Sequence, residues 1–142
     1  MSNHLDYEIN KELGECYLFM GELDKAEDYY TKAAASGEDQ SDPYMGLATI
    51  AMQRGDMDGA LTNYSKAATI QESDKALTGL GLVHMNQNDH EKAFSLFSRA
   101  LDINPANAVA LGCLVKEGYA LRRVEEILPY LSASLEATNE EN

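Results

Sequence analysis

A block of thirteen residues recurs along this chain at a near-constant spacing. GELDKAEDYYTKA, from Gly21 to Ala33, is matched 34 positions later by GDMDGALTNYSKA, from Gly55 to Ala67. A third copy, NDHEKAFSLFSRA, from Asn88 to Ala100, follows at an offset of 33 and runs on into LDINP, ending at Pro105. Upstream of each block lies a related segment: LGECYLFM from Leu13, LATIAMQR from Leu47 and LGLVHMNQ from Leu80. A period of this size restricts the chain to a stack of like units, each too small to bury its apolar face alone.

The unit can be read physically. Each upstream segment has apolar residues three and four apart, the spacing of one helical face; in the third copy these are Leu77 and Leu80, continued by His84. Gly81 on that helix marks a place where another helix must come close. Breaks fall at Gly21-Glu22, Gly55-Asp56 and Asn88-Asp89. Gly or Asn suits the left-handed residue that closes a helix, and the Asp after it suits the N-cap of the next. The second helix carries a large residue between alanines: Ala26, Tyr30, Ala33; Ala60, Tyr64, Ala67; Ala93, Phe97, Ala100. That pattern is a knob between two holes and predicts close antiparallel pairing. β-Branched residues are scattered, with no hairpin signal between alternating runs. The expectation is an all-α chain.

These three units resemble tetratricopeptide repeats, helix-turn-helix modules of 34 residues. The small residue late in that family's first helix is matched by Gly14, Ala48 and Gly81, and its small second-helix residues by the alanines above. The closing Pro is matched only at Pro105, and Asn10, Tyr44 and Leu77 stand where the family often has Trp. The resemblance covers residues 7 to 107. It implies a right-handed superhelical solenoid of antiparallel helix pairs within a single domain, with repeats at 7–40, 41–73 and 74–107.

The remainder reads as a degenerate fourth helix pair over 108–137, with a frayed tail at 138–142. Leu111 and Leu114 fall on the inner positions of its first helix. Ile127, Leu131 and Leu135, with Val124 near the start, give its second helix an apolar stripe at spacings of four. Val115 and Ile127 enlarge two of the three small positions, while Ser134 keeps the third. Such a unit suits the end of a stack. Pro129 is expected in the first turns of its helix, where it is best tolerated.

Composition narrows the function. Eleven Lys and Arg against 24 Asp and Glu give a formal net charge of −13. Nucleic-acid affinity comes from cations that neutralise phosphates, and an anionic membrane surface repels such a chain, so neither is an expected partner. No window approaches the roughly 18 apolar residues of a membrane span. The opening MSNHLDYEINK lacks the basic start and apolar run of a signal peptide, which favours a cytoplasmic location.

No catalytic residue, cofactor or metal is expected. His84 and His90 are six apart, and no His-x-x-x-His or paired Cys spacing offers a metal site. His84 reads as a packing residue, and Cys16 and Cys113 as small buried apolar ones. Gly79-Leu80-Gly81 lies inside a helix with no strand before it, so it is not a phosphate loop.

The resemblance implies that the first helix of each pair lines a concave face that holds a partner's peptide or helix. Carried over by register, the candidate groove residues are Glu8, Lys11, Glu12, Glu15 and Phe19; Met45, Thr49 and Met52; Lys75, Thr78, Leu82 and Met85; and Lys116 with Tyr119. Phe19, Met45, Met52, Leu82 and Met85 form an apolar row, and Met adapts readily at binding surfaces. Residues 1–40 hold ten acids against three bases. The expected ligand is therefore an apolar or amphipathic protein segment with Lys or Arg at one end. Some members of the family clamp the acidic tails of heat-shock chaperones, but of the five corresponding slots only Lys11 and Lys75 are basic, the others being Glu15, Gly46 and Gly79. The leading expectation is a non-catalytic interaction module or adaptor. The alternatives are a small acidic chaperone for a secreted client, similar to the type III secretion class, and a self-assembling scaffold or homodimer.

Overall fold

The computed structural model describes residues 4–37 and 39–141. Among them are eight helices and no strand: α1 His4–Phe19, α2 Leu23–Ser36, α3 Asp42–Gln53, α4 Met57–Ile70, α5 Asp74–Asn86, α6 His90–Ile103, α7 Ala108–Leu121 and α8 Val124–Glu141. They are joined in pairs by short turns. The residue that closes each pair's first helix is left-handed in all four: Gly21 (φ 79°), Gly55 (φ 78°), Asn88 (φ 62°) and Arg122 (φ 58°). The next helix then starts on a cap. Asp56 accepts a hydrogen bond from the Gly59 amide at 2.9 Å, and Asp89 from the Lys92 amide at 3.3 Å. Glu22, at the matching place, makes no such bond; its carboxylate sits one methylene farther from the backbone than that of Asp. Ser73 and Asn107 cap α5 and α7 in the same way.

The chain divides into two compact units, Met1–Glu72 and Ser73–Asn142. In the first, α1 packs on α2, α2 on α3 and α3 on α4, and α1 also touches α3. Tyr30 is the knob expected from the Ala-Tyr-Ala pattern, buried with Ala26 and Ile50. A Cβ added to Gly14 would meet its ring at 2.9 Å, and one added to Gly46 would strike its far edge. Both glycines therefore serve as holes for one aromatic ring, Gly46 for a reason its sequence position had not suggested. A second cluster joins Ala34, Tyr44 and Ala67.

In the second unit α5 packs on α6, α6 on α7 and α7 on α8. Leu77, Ala93, Phe94, Phe97, Ala100, Leu101, Ala110, Leu114 and Ile127 form one core. A Cβ on Gly81 would lie 2.6 Å from the Phe97 ring, so the close approach read from that glycine is present. His90 Nδ1 lies 2.5 Å from Oε2 of the buried Glu117, linking the start of α6 to α7. Ser134 donates to the Pro105 carbonyl at 2.5 Å and ties α8 to the loop before α7.

The α8 stripe splits between core and solvent, and the two cysteines, in α1 and α7, are less buried than expected. Only Ile127 of the expected stripe is buried; Val124, Leu131 and Leu135 are exposed. A row spaced by four residues drifts about 40° around a helix at each step, because four residues turn about 400°, so Ile127 and Ser134 face the core while the leucines swing out. Cys16 is exposed and Cys113 half-buried, because each lies on a helix face that the neighbouring helices leave wholly or partly uncovered. Pro129 is the sixth residue of α8, in its second turn. The helix runs on to Glu141 through the stretch expected to fray; Asn142, like Met1 to Asn3, lies outside the described residues.

Candidate protein-binding faces

The candidate residues of the first unit lie on α1 and α3. Lys11 is the centre of a charged cluster: its Nζ is 3.4 Å from Glu8, 3.8 Å from Glu12 and 3.7 Å from Asp42. Burial pulls the Lys11 pKa down, but the carboxylates of Glu8 and Asp42 outweigh it and hold it above the usual value. Glu15, one turn along, has its pKa raised by burial and then by the charge of Glu12. One cation is thus outnumbered by its neighbours, leaving a surplus of negative charge. At the end of the same helix Phe19 is 94% exposed, with Met20 exposed beside it.

On α3 the candidates are less free. Met45 packs against the Ala34, Tyr44 and Ala67 cluster. Thr49 donates to the Met45 carbonyl at 2.9 Å, and its hydroxyl lies 3.5 Å from that of Tyr64. Met52 is half-buried.

The second unit shows the same mixture. Lys75 is exposed on α5, and Lys116 and Tyr119 are exposed on α7. Leu82 and Met85 pack partly against the core. Thr78 turns inward: it is buried, donates to the Asp74 carbonyl at 2.7 Å and accepts from Asn107 Nδ2 at 3.2 Å. Its hydroxyl serves the polar seam between α5 and α7, where Asn107 also reaches Asp74 at 2.8 Å.

Sequence reading missed several contacts that join positions far apart. Arg54 bonds Asp24 at 2.6 Å and Glu27 at 3.0 Å across two helix pairs. Arg123 bonds Glu126 and reaches Glu91 at 2.9 Å. Tyr17 and Tyr29 stack with ring centroids 5.5 Å apart. The pairing of His90 with Glu117 spans 27 residues, a separation unrelated to the repeat, so register gave no hint of it. His84 sits largely inside, its Nδ1 3.7 Å from Asp89. Among the described residues no group of three or more His, Cys, Asp or Glu side chains is placed to hold a metal ion. No helix there is long and apolar enough to cross a membrane.

Paired helices closed by left-handed turns, with aromatic knobs set against glycines, define a helical repeat protein of the helix-turn-helix class. The family profile of the tetratricopeptide repeat matches residues 11–75 and, overlapping, 45–108; the chain belongs to the tetratricopeptide repeat family. In sequence it is similar to BBSome complex member BBS4 of Bos taurus, 33% identical over 110 residues that take in 77% of this chain and 21% of that protein. The chain thus spans about a fifth of that relative's length. In fold it is similar to the crystal structure of MamA, with a TM-score of 0.80 at 19% identity over 95% of this chain and 80% of that one. The first TPR of Spaghetti (RPAP3) bound to HSP90 peptide SRMEEVD gives 0.79 at 24% identity, over 84% of this chain and 96% of that one.

Proposed function

We propose that this chain is a non-catalytic protein-interaction module in which each unit presents the first helices of its own pairs, α1 and α3 in the first and α5 and α7 in the second, to a partner protein. The observation that carries this reading is Phe19, almost wholly in solvent at the end of a helix that also bears Glu8, Glu12 and Glu15. Met20 beside it is exposed as well, and adjoining apolar side chains left in water and rimmed by charge mark an interaction site. In the first unit Met52 adds to that surface and Met45 is shared with the interior; in the second, Lys75, Lys116 and Tyr119 are exposed on the first helices, whereas Thr78 is committed to the interior and Leu82 and Met85 are shared with it.

The ligand that fits is an apolar or amphipathic segment carrying Lys or Arg, because the carboxylates around Lys11 exceed the charge they surround. An acidic tail such as SRMEEVD, held by the similar first TPR of Spaghetti (RPAP3), fits poorly. Lys11 is already taken by three carboxylates, and Glu15 stands one turn on.

The test is selection from a random peptide library displayed on phage, run on the wild-type chain and on a Phe19→Ser, Glu12→Lys variant. Both positions are exposed, so the variant should fold normally. Peptides rich in apolar residues with Lys or Arg should be enriched by the wild type and lost on the variant. Enrichment of acidic peptides, or equal enrichment on both chains, would overturn the reading.

A further inference from the structure

We propose a second interaction surface, outside the first-helix faces: the outer face of α8, built to take an amphipathic helix of a partner protein with Lys or Arg along its flank. The chain supplies its own template for this contact. In α6, Phe94, Phe97 and Leu101 are 4%, 0% and 3% exposed, sealed into one core with Ala110 and Leu114 of α7 and with Leu77 of α5, where Phe97 also lies against Gly81. Thirty-four positions on, the same places in α8 hold Leu128, Leu131 and Leu135, which are 56%, 38% and 63% exposed. With Val124 they run at spacings of four, three and four, a seam into which the side chains of a second helix interdigitate. The face that α6 uses to hold a helix is thus repeated on α8 in apolar form and left in solvent.

Charge selects the occupant. After Arg123 the chain holds five acids and no base. Glu125 and Glu136 border the leucine row on its solvent side, at about 60–140° around the helix from those leucines. Glu126 is already engaged by Arg123. A second copy of this chain is the poorer fit. Its α1 does present Ile9 and Met20, both exposed, where α7 has Ala110 and Leu121. It also carries the exposed Glu12 where α7 has the half-buried Cys113, which would set acid against acid. A helix with basic flanks satisfies both the apolar seam and its rim.

The probe is a synthetic, fluorescently labelled peptide copying residues 107–122, with its exposed positions changed by Val109→Lys, Gly112→Lys and Tyr119→Lys. The control carries Glu at those three positions and at Lys116. Titrated into the 142-residue chain and followed by anisotropy, the lysine peptide should bind at least about tenfold more tightly than the glutamate peptide, and more tightly as salt is lowered. Leu128→Glu with Leu135→Glu should weaken it by about tenfold or more with the circular dichroism unchanged; Leu131→Ala serves as a milder variant should the double one unfold. The Phe19→Ser, Glu12→Lys chain should bind the peptide as the wild type does, so the two surfaces stand or fall separately. Three results would overturn the proposal: no binding up to about 1 mM, binding lost on the Phe19 variant but kept on the α8 variant, or a mass that rises with concentration and falls back in the α8 variant, which makes a second copy the occupant.

Discussion

Arg122 holds a left-handed backbone (φ 58°) where two of the other three pairs use glycine. A side chain with a Cβ is disfavoured there by about 1–2 kcal/mol, and Arg122 is exposed with no packing to offset it. Arg122→Gly should therefore stabilise the second unit by about 0.5–1 kcal/mol, after allowing for the greater freedom of glycine in the unfolded chain; urea unfolding measures it. Glu15 makes a prediction of the opposite kind. Its pKa is raised in the fold, first by burial and then by Glu12, so its ionised form is the unfavourable one. Glu15→Gln should make the chain more stable at neutral pH. That advantage should fade as pH falls through the raised value and vanish below the ordinary carboxylate range, where Glu15 is protonated in both states. Gly21, Gly55, Asn88 and the capping residues Asp56 and Asp89 were legible from sequence because their conformations are set by neighbours a few residues away. Cys16 and Thr78 were not: which way a side chain faces depends on whether another helix lies against it, and sequence spacing alone does not say so.

At the scale of the element, glycines at two helical sites behave in opposite ways. Gly81 lies against the Phe97 ring, and a Cβ there would come within 2.6 Å of it. Phe97 is fully buried and cannot yield cheaply, so Gly81→Ala should cost about 1–3 kcal/mol by overpacking. Gly112 in α7 has nothing within 4 Å of an added Cβ. Gly112→Ala should therefore stabilise the second unit by about 0.5–1 kcal/mol through helix propensity alone. Denaturant titration of the two variants side by side checks both signs. The helix pairs themselves were readable because the Ala-aromatic-Ala pattern and the period repeat three times. α8 was readable as a helix but not in its orientation: a row at spacings of four cannot stay on one face, and the core took Ile127 and Ser134 while the leucines turned to solvent.

At the scale of the whole molecule, helix pairs supply two units with exposed first-helix faces, and the chain's charge of −13 sets the sign of what meets them. The candidate faces were partly legible. Glu8, Lys11 and Glu12 do come together, with Asp42 arriving from α3. Met85 shows what register could not supply, because it packs on the core as well as facing outward. A charge placed there would disturb the fold along with any ligand, so Phe19 and Glu12 are the cleaner positions to alter. The most direct test of the central claim, that this is an interaction module working through its first-helix faces, is paired affinity capture. The wild type and the Phe19→Ser, Glu12→Lys variant are presented to the same cell lysate, and retained proteins are quantified by mass spectrometry. The account predicts at least one protein held by the wild type and reduced about tenfold or more on a variant that melts as the wild type does. The same proteins held equally by both chains would contradict it.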